Sequence, residues 1–233
     1  MINGDSIVTV QFENGMTMKT YVENIPTIRE IYHWNVYTQA VTVEKGDVVV
    51  DAGAFYGAFA LKAAIDGAST VIAFEPHKGN FKLLRENIEA NKHLFETNFI
   101  LCDTALANTK SEVKLFERAG HGSNSLVMVQ SKDRFSYVPT ERLDDVLEQL
   151  SLRIDFLKMD VEGAAGIILE GAEKVLQQPK LKIAAAVYHV INERDAVRQQ
   201  LEKYGFRYEK YNQVGWNRPN GEAFYQAWKG GEE

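Results

Sequence analysis

Acidic side chains stand where short apolar runs end: Asp51 after Val48-Val49-Val50, Glu75 after Thr70 to Phe74, Asp103 after Asn98 to Cys102, and Asp160 with Glu162 after Ile154 to Met159. A histidine, His189, follows the run Ile183 to Val187 with Tyr188 between. In an open α/β sheet, residues at the carboxyl ends of the strands share one crevice, and that crevice is where ligands bind. The first run continues into Ala52-Gly53-Ala54-Phe55-Tyr56-Gly57 and then into the apolar segment Ala58 to Ile65, which reads as a helix. Strand, loop and helix N-terminus therefore meet at the crevice, an arrangement suited to a nucleotide-like molecule.

The residue types narrow the ligand. A dinucleotide loop needs G-x-G-x-x-G so that backbone can approach a pyrophosphate; here only Gly53 and Gly57 are present, directly after Asp51. A carboxylate beside two phosphates is repulsive at short range. S-adenosylmethionine carries an ammonium and a sulfonium and no phosphate, so the acidic start favours this methyl donor. On that reading Asp51, Gly53, Ala54, Phe55, Tyr56 and Gly57 surround the methionine end. Glu75, 24 residues after Asp51, accepts both ribose hydroxyls, with Pro76 beside it. Asp103, Thr104 and Ala105 fall at the adenine. Any one of these acids, taken alone, is more often a helix cap or a surface group; their recurrence in strand order is what argues for a ligand.

Methyl transfer is an in-line displacement, so alignment of donor and acceptor supplies much of the catalysis. A hydroxyl acceptor also has to lose a proton, and the catalytic candidates for taking it are Asp160, Glu162 and His189. His121 sits in a small polar stretch, Ala119 to Ser125, that reads as a mobile lid; His33, His77 and His93 read as non-catalytic, with His77 bordering the adenosine. None of these residues is assigned to a metal. The single cysteine, Cys102, excludes an internal disulfide and a cysteine-based metal site, and reads as a strand residue.

The elements that position these groups follow from patterning. Runs from Ile7 to Tyr21 flank Asn14-Gly15, a hairpin signal, and Thr27 to Tyr37 has helical spacing that brings Trp34 and Tyr37 near the mouth of the site. Helices are predicted around Phe81, Leu84 and Ile88, over Leu143 to Leu150, across Ile168 to Leu176 past two glycines, and after an Asn192/Asp195 cap through Val197 and Leu201. Val113 to Phe116 reads as an extra strand or loop edge. Phe206 to Tyr211 and Ala223 to Trp228 bracket a turn at Arg218 to Gly221 and predict a closing antiparallel hairpin. The expected fold is thus α/β, a Rossmann-like, mostly parallel sheet of the class I methyltransferase kind with a C-terminal antiparallel hairpin. Residues 1–40 form an N-terminal hairpin and helix extension, and 41–233 the main domain.

Composition sets outer bounds. With 45% hydrophobic and 25% charged residues the chain is an ordinary globular one, and a net charge of −6 without long basic runs argues against nucleic acid as a partner. No signal-like or membrane-spanning run is evident, so a soluble, cytoplasmic protein acting on a small molecule, away from membranes, is expected. Oligomeric state stays open.

Together these residues resemble the FkbM-type family of S-adenosylmethionine-dependent methyltransferases. The resemblance covers roughly Val48 to His189. It rests on Val50 to Gly57; on Phe74-Glu75-Pro76 with Asn80, Asn87 and Asn91; on Leu143-Asp144-Asp145; and above all on Leu157-Lys158-Met159-Asp160-Val161-Glu162-Gly163 with Leu169-Glu170-Gly171-Ala172. It implies methylation of a hydroxyl on a sugar, lipid or secondary metabolite. Two positions depart from the family pattern: Phe55, where relatives usually carry Asn, and Ala165, where they carry an acid. A phenyl ring at 55 would meet a sulfonium as a cation–π partner. The competing readings are a non-catalytic binding or scaffold protein with the same fold and, further off, an NAD-dependent oxidoreductase.

Overall fold

The structure, a computed structural model, describes residues 6–117, 124–128, 134–212 and 223–230. The chain opens with a hairpin, β1 (Ile7–Gln11) and β2 (Thr17–Tyr21), followed by α1 (Ile25–Tyr32). Then come β3 (Val48–Ala52), α2 (Ala58–Ile65), β4 (Thr70–Phe74), α3 (Lys78–Asn91) and β5 (Asn98–Cys102). An insertion contributes β6 (Ala105–Leu106), β7 (Ser111–Glu117) and β8 (Arg134–Glu141) before α4 (Leu143–Leu150) and β9 (Phe156–Met159). The chain continues through α5 (Ala165–Glu170), α6 (Glu173–Leu176), β10 (Lys182–Ala186), α7 (Glu193–Lys203), β11 (Arg207–Tyr211) and β12 (Phe224–Trp228).

Among the described residues the main sheet has seven strands in the order β11-β12-β10-β9-β3-β4-β5. The contacts from β10 through β5 are parallel, and β12 pairs antiparallel with both β10 and β11. The chain order reverses beside β3, so this strand and β9 flank the topological switch point, where the crevice opens. Strand pleating divides the core between two faces: Val49, Val71 and Phe156 join one apolar cluster, while Val50, Ile72 and Leu157 join the other. The first cluster also takes in Met16, Met18, Ile28 and Ile31, so the hairpin and α1 share the core of the sheet.

Asn87 and Asn91 make that attachment specific. The backbone of Lys19 donates to Asn87 Oδ1 at 2.8 Å and receives Asn87 Nδ2 at 2.8 Å; Thr17 exchanges the same pair of bonds with Asn91 at 2.9 and 2.6 Å. Each buried amide mimics the edge of a neighbouring strand, satisfying backbone groups of β2 that no strand pairs.

Several expected boundaries move. The helix predicted to Tyr37 ends at Tyr32, and Asn35 takes a positive φ of 49° in the turn that follows. The helix predicted across Ile168 to Leu176 is two short ones, because Gly171 lies against the backbone of Ala107: a Cβ there would sit 2.2 Å from its carbonyl oxygen. Asn192 precedes α7 without capping it through its side chain, and Asp195 instead pairs with Arg198 at 2.7 Å. The strand β8 was not expected. Its polar, half-exposed residues and Pro139 hide a pairing with β7, whose Val113–Phe116 core was read correctly as extended. The turn at Arg218 to Gly221 and residues Ala119 to Ser123 of the expected lid, with His121, lie outside the described residues.

Candidate active site

The loop between β3 and α2 is clamped from both sides. Lys158, the one charged residue of the otherwise apolar β9, is 5% exposed at its side chain and pairs with the fully buried Asp51 at 2.8 Å. The same ammonium donates to the carbonyl oxygens of Gly53 at 2.8 Å and Ala52 at 3.4 Å. Burial still pushes the Asp51 carboxyl up, with Lys158 pulling it down. Asp51 is therefore a strut beneath the loop and is absent from the crevice lining, as are Ala54, Tyr56 and Gly57. Asp51, expected beside the ammonium and sulfonium of the donor, stands in an internal ion pair, because β9 delivers a lysine to the same buried spot. A lysine in a buried strand is itself a signal for such a partner.

Gly53 permits the close packing. Its φ is +75°, and a Cβ on it would fall 2.0 Å from the carbonyl oxygen of Asp160, so the ends of β3 and β9 touch through backbone. Phe55 also adopts a positive φ, 54°, in the left-handed region that Asn tolerates better than an aromatic residue. Its ring stacks on Tyr21 of the hairpin, centroids 6.3 Å apart, and leans on Tyr56 at 4.6 Å.

Glu75 closes the other side of the loop. Its carboxylate accepts the backbone N–H of Phe55 through Oε2 and that of His77 through Oε1, each at 2.9 Å. Burial pushes its pKa up to about 7, against the opposing pull of these N–H donors. His77 accepts the N–H of Asn80 at 3.3 Å through Nδ1, capping α3.

Between these walls lies a crevice. Gly53, Phe55, Glu75, Pro76, Thr104 and Ala105 line one part of it, and Asp160 and Glu162 another. Asp103 is exposed and stands outside this lining. Leu115 of β7 and Leu126 add an apolar wall, and Ser125 Oγ donates to the carbonyl of Glu162 at 2.6 Å, so the insertion is strapped across the site. Ala165, the first residue of α5, is wholly buried and absent from the crevice lining. Cys102 is half-buried, and burial pushes its thiol up to about 11.

At the far end, the tip after β9 is a tight turn with positive φ at Glu162 (51°) and Gly163 (100°), which lifts Glu162 back toward the strand end. His189 enters from the end of β10. Its Nε2 stands 3.2 Å from Asp160 Oδ1 and 3.4 Å from Glu162 Oε1, while its Nδ1 lies 3.2 Å from the buried Glu193. Tyr37 donates to Asp160 Oδ2 at 2.5 Å. Burial alone would lower the His189 pKa, but the three carboxylates push it up to about 12. Burial would raise Asp160; His189, Lys158 and Tyr37 outweigh it and hold the carboxyl well below its usual range. Burial raises Glu162. Tyr37 was expected near the mouth of the site but not on Asp160, which lies 123 positions away, and only the i,i+4 spacing of His189 and Glu193 hinted at their pairing.

Residues 51–208 match the Methyltransferase FkbM domain. The chain belongs to the FkbM methyltransferase family. No curated protein matches it. Among solved structures, an FkbM methyltransferase from Methylobacillus flagellatus superposes with a TM-score of 0.63 at 16% identity, covering 86% of this chain and 47% of that one. The chain thus spans about half the length of that relative. The M. jannaschii TYW2 in complex with AdoMet gives 0.53 at 15% identity over 98% of this chain and 87% of its own. A transferase, PH0793, from Pyrococcus horikoshii gives 0.51 at 17% identity, covering 96% and 71%. At these identities the neighbours establish the fold alone, a Rossmann-like α/β sheet, and the N-terminal hairpin is seen in this chain itself. Among the described residues no helix is long and apolar enough to cross a membrane.

Proposed function

We propose that this FkbM-family chain transfers the methyl group of S-adenosylmethionine to a hydroxyl of a small molecule or sugar. The observation that carries the reading is a single crevice at the switch point with Glu75 at one part and the Asp160–Glu162 pair at another. Glu75 is held by the backbone N–H groups of Phe55 and His77 and lines the crevice, where its carboxylate is the acceptor for the ribose hydroxyls. Thr104 and Ala105 flank the base. Gly53 and Phe55 meet the methionine part, and the Phe55 ring offers its face to the sulfonium.

The acceptor hydroxyl lies at the Asp160–Glu162 end, aligned with the methyl carbon. As its oxygen forms the new C–O bond and the S–C bond breaks, its proton goes to the carboxylate cluster. Glu162 is the group on the chain suited to receive it, since it lines the crevice and burial raises its basicity. His189, charged when no other cation is present, holds the carboxylates in place.

Titration calorimetry on the full chain tests the donor site. Wild type is expected to bind S-adenosylmethionine, and Glu75→Ala to lose binding while retaining its far-UV circular dichroism. No heat with wild type refutes the reading.

A further inference from the structure

We propose that Asp160, Glu162 and His189 form a binding site for a first-row divalent cation at the acceptor end of the crevice. The donor atoms of the three residues lie within 4.8 Å of one another. Ligands about 2.1 Å from a shared metal, at angles between octahedral and tetrahedral, stand roughly 3.0–3.4 Å apart; Nε2 of His189 is 3.2 and 3.4 Å from the two carboxylate oxygens.

An independent observation points to a missing ligand. The His189 side chain is 3% exposed, yet among the described residues its Nε2 makes no hydrogen bond; the approach to both carboxylates is close but not aligned for one. Asp160 Oδ1, facing it, is likewise buried without a hydrogen-bond partner. Two atoms pointing away from this centre are engaged: Asp160 Oδ2 accepts from Tyr37, and His189 Nδ1 is held by Glu193, whose side chain is fully buried. A carboxylate on one imidazole nitrogen is the arrangement that presents the other as a metal ligand and fixes its tautomer.

Charge favours the same conclusion. Asp160, Glu162 and Glu193 surround His189, so even a charged imidazole leaves two negative charges uncompensated. A dication bound to the neutral imidazole leaves one. The nearby ammonium of Lys158 is committed to Asp51. One nitrogen and two carboxylate oxygens suit Mn²⁺, Fe²⁺, Co²⁺ or Zn²⁺ better than Mg²⁺.

The consequence for catalysis rests on the methyl-transfer reading, although the binding itself does not. A cation there coordinates the acceptor oxygen and makes its proton more acidic. Glu162, ligating through one oxygen, takes that proton on its other oxygen, and the alkoxide pair attacks the methyl carbon as the sulfonium leaves as a neutral thioether.

The test is Mn²⁺ titration of the chelator-treated chain, followed by loss of the free-ion electron paramagnetic resonance signal, with Co²⁺ absorption as a second probe. One Mn²⁺ per chain is expected, with release of a proton on binding. Affinity should fall at least about tenfold in His189→Gln and in Glu162→Gln, and by about 10–100-fold in Glu193→Gln, which touches no cation. Glu162 is at the crevice surface, so its variant remains informative if substitution of the buried histidine impairs folding. Absence of binding by wild type, or equal binding by wild type and both ligand variants, overturns the site and leaves the cluster as an imidazolium ion pair. S-adenosylmethionine calorimetry on the same stripped protein reports separately on the methyl-transfer reading.

Discussion

Replacing Lys158 with Met keeps most of the side-chain volume and removes only the charge that anchors the loop. In the native chain the ammonium satisfies Asp51 at 2.8 Å and two loop carbonyls, with the Asp51 side chain fully buried and its Oδ2 already without a hydrogen-bond partner. The substitution therefore strands a carboxylate in the core, a change that costs about 3–5 kcal/mol. Proton uptake limits the loss, since the Asp51 carboxyl is already pushed up by burial and rises further without its partner. Domain stabilities are about 5–15 kcal/mol, so Lys158→Met should remain folded with a much lower urea midpoint. Asp51→Asn in the same background removes the stranded charge and should recover at least about 2 kcal/mol, a coupling expected only of residues in direct contact. Urea unfolding of wild type, both single variants and the double variant, followed by circular dichroism, gives the cycle. A Lys158→Met protein within 1 kcal/mol of wild type, or additive single effects, would refute the view that this pair holds the loop.

The remaining expectations concern the same crevice. Glu75 has a folded pKa pushed up to about 7, so its contribution to stability is full below the ordinary glutamate range and is lost as pH rises through 7. Ribose hydroxyls donate to the ionised form, so donor binding below pH 7 should release a proton and weaken by about tenfold per pH unit; calorimetry at pH 6 in buffers of different ionisation heat measures this, and a pH-independent affinity contradicts it. Gly53→Ala should cost about 3 kcal/mol, combining a left-handed φ with forced separation of the β3 and β9 ends, and should weaken the donor as well. Thermal unfolding and donor titration of that variant check both effects.

How much of this was legible in the sequence differs from element to element. The strand carrying Asp51 and the helix Ala58–Ile65 were readable because a run of β-branched residues, a glycine turn and an apolar helix carry their own local signals. The same holds for β4, β5 and α4, whose ends match their patterns. Elements defined by distant partners were not readable. The strand β8 is held by pairing with β7 and β6, and the break at Gly171 by contact with Ala107.

The site divides along the same line. By itself the sequence determined that carboxylates and a histidine lie at the ends of strands, since the strand pattern and the residue at its end are adjacent in the chain. Only the tertiary structure decided what each group faces. It turned Asp51 from a ligand contact into the partner of Lys158, a residue 107 positions away. It also gathered Tyr37, Asp160, Glu162, His189 and Glu193 into one cluster. The physical reason is that charge state and orientation depend on burial and on neighbours brought by other strands, and those neighbours are set by sheet order, which local patterning does not encode.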